Sequence, residues 1–395
     1  MTGNDTTHTH TTTKVVVIGG GYAGTLAANH LRVRDDLDIT LINPRPRFVE
    51  RIRLHQLAAA DYDATADYGT LLGEGIRLVV DTATRIDSAA GTVALASGAQ
   101  VAYDHLIYAV GSTAGTPDVP GAAEFAYQVA EFEHAERLRG ALVKLDPAAP
   151  VTVVGAGLTG IELAAELAEQ GRRVTLVCGG RLGPSLSAPG RRSVAKALAR
   201  LGVTVRESEV VTEVRADGVV FADGAVRPSA LTVWTAGFGV PGLAAASVLR
   251  TDGLGRLITD ETLTSVSDPR IVAAGDCAAP SDEPLRMCCA TANQLAPQAA
   301  ETVLAHIAGT PAARFEYAYG GSCISLGRRT ATLQFTRKDD TAVNLYLGGR
   351  AVARFKEAVC KGTLWAMRRT ARKPEWTFWL KGGPRPEEKA LVRQP

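Results

Sequence analysis

The sequence predicts an α/β chain, and three observations carry that prediction. A strand, glycine turn and helix succession occurs twice, β-branched runs alternate with helical stretches, and 40 glycines exceed the roughly 7% average. With 395 residues the chain is long enough for two or three domains with sizeable cores. Its 46% hydrophobic and 21% charged residues exclude disorder throughout. A formal net charge of +2 is too balanced for a dedicated nucleic-acid binder, and no nucleic-acid signature appears along the chain.

Taken in order, residues 1–13 hold seven threonines and, after Met1, no large apolar side chain. They predict a disordered tail, with His8 and His10 as solvated linker residues. Residues 14–18 are a β-branched strand that runs into Gly19-Gly20-Gly21-Tyr22-Ala23-Gly24 and a helical stretch over 25–32. Gly19 permits the tight turn, Gly21 lets the backbone approach a pyrophosphate, and Gly24 lets the helix pack on the strand. A second strand, 38–42, ends at Asn43, 24 residues after Gly19, where an acid ordinarily accepts ribose hydroxyls. An amide still offers a carbonyl oxygen and an amino group.

The pattern returns at residues 151–154, with Gly155-Ala156-Gly157-Leu158-Thr159-Gly160 opening a helix over 161–170. Its second strand, 173–177, ends at Cys178-Gly179-Gly180-Arg181 without the acid that favours NADH. NADH against NADPH stays open, with Arg172, Arg173 and Arg181 as candidates for a 2′-phosphate. Two full units of this kind predict two Rossmann-like dinucleotide-binding domains. Pro117, Pro120-Gly121, the proline-rich loop 146–150 and Gly239-Val240-Pro241-Gly242 mark the crossings between them.

At this point the sequence resembles the pyridine nucleotide-disulfide oxidoreductase superfamily of two-domain flavoproteins. Tyr108-Ala109-Val110-Gly111-Ser112 looks like its first crossing motif, and Val233-Trp234-Thr235-Ala236-Gly237 like its counterpart closing the nucleotide domain. Ile271-Val272-Ala273-Ala274-Gly275-Asp276 resembles its late FAD motif. The resemblance implies FAD held by Gly19, Gly21, Gly24, Asn43, Ala109, Gly111, Gly275 and Asp276. It implies NADH or NADPH held by Gly155, Gly157, Gly160 and Gly237. It also implies a tail over 1–13, a FAD domain split into 14–115 and 241–310, a nucleotide domain over 116–240, and a C-terminal α+β interface domain over 311–395. Strands near 322–326 and 331–335 would pack beside the flavin, and a homodimer through the last domain is an implication of the same resemblance.

Within the superfamily, the nearest resemblance is to the type II NADH dehydrogenases and their apoptosis-inducing-factor-like relatives. The stretch 155–164 looks like that branch's nucleotide motif and includes Glu162, a glutamate placed by the family near nicotinamide and flavin. The plainer reading puts Glu162 in the first turn of its helix, stabilised by the macrodipole. Asn293-Gln294-Leu295-Ala296-Pro297-Gln298 resembles the branch's quinone pattern, with Gln294 and Gln298 on one helix face. Pro297 should disturb that helix unless it lies in the first turn. The alternative is an ordinary polar helix start. Arg51, Arg53, His55 and Gln56 fall in a segment that usually runs near the flavin, with no individual roles assigned.

Six cysteines form no zinc spacing, so no metal is expected, and a reducing, cytoplasmic compartment fits them. The redox pairs of disulfide reductases are missing, and Cys288-Cys289, as adjacent residues, are read as structural. Cys323 and Cys360 have no evident partner in mid-chain for sulfide:quinone chemistry. Residues 350–395 carry 12 of the 43 basic and four of the 41 acidic residues, together with Trp365, Trp376 and Trp379. That composition suits peripheral contact with a membrane headgroup layer, or else a tryptophan-filled interface with a basic face. The leading expectation is an FAD-dependent NAD(P)H dehydrogenase that reduces a quinone. Two rivals share its cofactor motifs: a soluble flavin reductase serving an electron-carrier protein or a small metabolite, and a redox-sensing binding protein.

Overall fold

The computed structural model describes residues 12–115, 117–376 and 381–383. Its first layer is a five-stranded parallel sheet ordered Ile271–Ala273, His105–Tyr108, Thr13–Ile18, Leu37–Asn43, Ile76–Val80. Both faces of the central strand are covered, as a parallel sheet requires. Val15 and Val17 face the helices, while Val16 and Ile18 face the side of the antiparallel sheet Ala83–Asp87, Thr92–Leu95, Gln100–Ala102. Helix Tyr22–Leu31 lies against helix Cys289–Ala308, and Ala27, Ala28, Ala296, Ala299 and Ala300 are fully buried there. These small side chains let the two backbones approach closely.

The second layer repeats the plan. Strands Ala126–Tyr127, Leu231–Trp234, Pro150–Val154, Arg173–Val177 and Thr204–Arg206 form a parallel sheet, joined by the antiparallel sheet Val211–Val214, Gly218–Phe221, Val226–Pro228. The two crossings meet: Thr113–Ala114 pairs antiparallel with Phe238–Gly239. A third sheet, Gly321–Ser325, Ala331–Thr336 and Ala342–Gly349, leads into the 23-residue helix Arg350–Arg372. No helix among the described residues is long and apolar enough to cross a membrane.

Several local expectations need correction. The strand begins at Thr13, because Thr13 pairs with Leu37 and donates to Asp36, so the expected tail ends earlier; residues 1–11, with His8 and His10, lie outside the described residues. Both turn helices start three residues sooner than periodicity suggests, at Tyr22 and Leu158. Their first turns are set by the glycine turn rather than by an apolar stripe. Pro297 sits in the interior of the 20-residue helix Cys289–Ala308. The lost bond to the Asn293 carbonyl is tolerated because Leu295, Ala296, Ala299 and Ala300 anchor the helix on both sides of the proline.

Candidate active site

Both glycine turns show the same division of labour. Gly19 has φ +103° and Gly155 φ +108°, left-handed values that glycine adopts without strain. A Cβ on Gly24 would collide with the Gly19 carbonyl, and one on Gly160 with the Gly155 carbonyl, so helix and strand meet only through glycine. Around Gly21 and Gly157 there is nothing within 4 Å of a Cβ position. Neither following helix carries a side-chain cap or an acid in its first turn, so its leading N–H groups stay available to an anion. This open space beside free donors is what a dinucleotide pyrophosphate needs.

The surroundings of the turns differ. Asn43 accepts from Gly20 N at 2.9 Å and donates to the Arg45 carbonyl at 2.8 Å, so both ends of its amide brace the turn. Tyr68 and Thr25 hydroxyls donate to the Gly20 carbonyl at 2.7 and 3.0 Å. At the second turn, Thr235 lies 3.0 Å from the Val154 and Gly155 carbonyls. Arg172 donates to the Leu142 carbonyl, and Arg173 starts its strand at the end opposite the turn. Arg181 lies past the strand's C-terminal end, the end that carries the turn.

Ala109 donates to the Ile18 carbonyl at 2.9 Å and crowds Gly19, while Gly111, Gly237 and Gly275 all take positive φ at strand ends. Asp276 accepts from the Ser112 hydroxyl at 2.7 Å through one oxygen. Its other oxygen is shielded from water without a partner among the described residues, an orphan that suits a ribityl or ribose hydroxyl. Burial raises the Asp276 carboxyl, opposed by the Ser112 hydrogen bond and by Arg51, which itself donates to the Ser112 carbonyl.

Glu162 draws three distant segments of the chain together. It is the fifth residue of its helix, past the first turn, so a macrodipole contact does not account for it. Its Oε1 accepts from Ser325 N at 2.9 Å and from the Lys356 ammonium, while its Oε2 lies 3.9 Å from His55 Nδ1. Burial, with Arg53 nearby and opposed by Cys360, brings Lys356 down to about 8, and its ammonium pairs with the Glu162 carboxylate. Burial, then Lys356, Arg328 and Arg53, holds His55 well below the ordinary imidazole value. His55 Nε2 is shielded and has no partner among the described residues. Fully buried Arg53 backs this cluster with two 3.0 Å bonds to Glu357 and one to Gln56, over the Tyr62 ring at 4.4 Å. Lys356 was legible only as a charged residue on the stripe Val352, Cys360, Thr363 and Met367 that buries the last helix.

The two glutamines hold backbone. Gln294 accepts from Ala318 N at 2.8 Å and donates to its own helix at Ala290. Gln298 accepts from Glu316 N and donates to the Glu316 carbonyl, which mimics strand pairing. They clamp segment 316–318 onto the helix, between the rings of Phe315, Tyr317 and Tyr319. All six cysteines are free thiols, and burial pushes Cys289 and Cys323 up to about 12, far from reactive thiolates.

The chain matches the family described as pyridine nucleotide-disulphide oxidoreductase over residues 13–302, and it belongs to that family. An NADH dehydrogenase-like protein of Mycobacterium tuberculosis is 34% identical over 294 residues, covering 68% of this chain and 73% of the relative. A type II NADH:quinone oxidoreductase of the same organism is 30% identical over 367 residues, covering 80% and 78%. Among solved structures, a sulfide:quinone oxidoreductase from Aquifex aeolicus superposes with a TM-score of 0.79 at 22% identity, covering 91% of this chain and 92% of that one, a likeness of fold. The protein is therefore an oxidoreductase whose cofactors are FAD and a nicotinamide nucleotide.

Proposed function

We propose that this oxidoreductase carries two electrons from NADH or NADPH to a quinone, in the balance NAD(P)H + H⁺ + quinone → NAD(P)⁺ + hydroquinone. FAD, when bound, supplies the hydride acceptance and the onward electron transfer. The observation that carries the proposal is the buried Glu162, Lys356 and His55 cluster, assembled from all three parts of the chain. Quinone reduction takes up one proton beyond the hydride, and a buried site needs ionisable groups to deliver it. Lys356, held near neutrality, donates through Glu162, and the Ser325 N–H fixes the carboxylate.

Gly155, Gly157, Gly160 and Gly237 seat the nicotinamide nucleotide, and Gly19, Gly21, Gly24, Ala109, Gly111, Gly275 and Asp276 hold FAD, with Asn43 bracing its turn. Gln294 and Gln298 orient the acceptor by fixing segment 316–318. The quinone relative, which aligns over 80% of the chain, supports the same reading. So does the surface of helix Arg350–Arg372, where exposed Phe355, Val359 and Trp365 form a stripe flanked by Arg354, Arg368 and Arg372. An apolar stripe with a basic border suits peripheral contact with the membrane that dissolves the quinone. Trp376 packs edge-on against Trp365; Phe378, Trp379 and Leu380 lie outside the described residues.

The test is steady-state NADH oxidation with a short-chain menaquinone analogue and with an acidic carrier protein. Saturable turnover with the quinone supports the proposal. Turnover only with the carrier, abolished by salt, would replace it with the soluble-reductase reading.

A further inference from the structure

The second nucleotide unit lacks an acid where its second strand ends, at Cys178-Gly179-Gly180-Arg181, yet the neighbouring strand brings one there. Thr204–Arg206 pairs parallel with Arg173–Val177, in a register that sets Arg206 beside Val177. Beyond that pair the two chains stay joined. Cys178 N donates to the Arg206 carbonyl at 2.8 Å, Gly180 N to the Glu207 carbonyl at 2.7 Å, and Gly179 N to the Glu209 carbonyl at 3.1 Å. Adjacent strands lie about 4.8 Å apart, so Glu207 stands one strand over from the position where the acid is missing.

Two acids occupy this loop, and their commitments differ. Glu209 is half-buried and takes both nearby arginines, Arg206 at 3.0 Å and Arg227 at 3.6 Å. Glu207 is exposed and forms no ion pair among the described residues. Its charge is felt at the strand end: burial pushes the Cys178 thiol up to about 12, the Glu207 carboxylate adds to that rise, and no cation opposes it. Arg181 leads instead, through Leu182, to Gly183, whose N–H donates to the Ala156 carbonyl inside the glycine turn. It belongs to the stretch that returns to the pyrophosphate side.

The corner has room for a sugar. A Cβ on Gly179 or Gly180 would meet nothing within 4 Å, so its floor is bare backbone. In this fold an acid past the second strand accepts the hydroxyls of the adenosine ribose, whereas a 2′-phosphate calls for an arginine. An unpaired carboxylate repels that phosphate and accepts strong, charge-assisted bonds from a neutral diol. We propose that Glu207 is the specificity-determining acid of the nucleotide site: supplied by the third strand of the unit in place of the second, it accepts the adenosine ribose hydroxyls and selects NADH over NADPH. The inference rests on the nicotinamide-nucleotide site and is independent of which acceptor the flavin reduces.

The experiment is a calorimetric titration of the flavin-loaded full chain with NAD⁺ and with NADP⁺, which leave the oxidised flavin as it is, so binding is read without turnover. The parent chain should bind NAD⁺ at least about tenfold more tightly than NADP⁺, the scale of one hydrogen bond to a charged group. Glu207→Gln should lower that ratio by about tenfold, and Glu207→Arg should reverse the preference, both with the flavin absorbance of the parent. Equal affinities in the parent, or tighter NADP⁺, overturn the proposal. So does a Glu207→Gln chain that keeps the parent's ratio. A preference that survives Glu207→Gln and vanishes in Arg181→Ala assigns selection to the arginine and overturns it as well. A chain that shows the predicted selectivity and reduces no quinone upholds this inference and rejects only the acceptor reading.

Discussion

The two glycine turns are nearly superimposable in conformation and differ in what surrounds them. In the first, Gly20 donates its N–H to the Asn43 side chain, its carbonyl accepts from the Tyr68 and Thr25 hydroxyls, and the helix that follows is buried along its whole length. In the second, the equivalent Ala156 accepts one backbone bond from Gly183, and a single side chain, Thr235, reaches the Val154 and Gly155 carbonyls. Backbone geometry fixes what both turns recognise, a pyrophosphate, while the packing behind each sets how readily the site opens. The turn braced by three side chains suits a cofactor that stays bound through many cycles, and the one braced by a single side chain suits a nucleotide that enters and leaves each time.

The sharpest way to break this comparison is to make the same substitution at both turns. Gly24→Ala forces the first helix off its strand and should abolish flavin retention, read as loss of visible absorbance after purification. Gly160→Ala produces the same collision in the second unit yet should leave the flavin in place and raise the KM for NADH by about tenfold or more, which is about 1.4 kcal/mol of lost binding. Flavin loss from both variants would contradict the division.

Glu162→Gln tests the junction between the units. Turnover with quinone should fall by about 10²-fold, the scale of general acid–base catalysis, with flavin content unchanged. The pH profile adds a signature that mere misfolding would not produce. Wild-type turnover should decline with an inflection near pH 8 as Lys356 loses its proton, and removing the Glu162 carboxylate should move that inflection to lower pH. The same titration acts on stability in the opposite sense. The folded value of about 8 lies below the ordinary 10.5, so the unfolded chain binds more protons between them, and this group's contribution to stability rises with pH across that window.

Gln298→Ala should cost about 2 kcal/mol in chemical denaturation, because it strands the Glu316 N–H and carbonyl together. The smallest effect on the enzyme itself belongs to Phe355→Ser/Trp365→Ser. Turnover with a water-soluble quinone should stay within about twofold while sedimentation with anionic vesicles falls, since both side chains are exposed.

Much of this molecule was legible in the chain because its key positions are glycines whose backbone demands are local. Gly19, Gly24, Gly155 and Gly160 need no knowledge of distant contacts to be read. The junction was not legible in the same way. Lys356 reaches Glu162 across 194 positions, and His55 and Arg53 join from the other side, so nothing in their local sequence announces the meeting. Gln294 and Gln298 were visible as a pair on one face, but their bonds to Glu316 and Ala318 depend on a segment with no regular secondary structure. Pro297 shows the converse: a strong local signal overruled by packing along the helix that contains it.

The most direct measurement is anaerobic stopped flow, in which the NADH-reduced flavoprotein is mixed with a short-chain menaquinone analogue and flavin absorbance is followed. Reoxidation faster than about 10 per second in the wild type, and slowed by about 10²-fold in Glu162→Gln, is the result this account predicts. Flavin that is reduced by NADH and stays reduced in the presence of the quinone would contradict it.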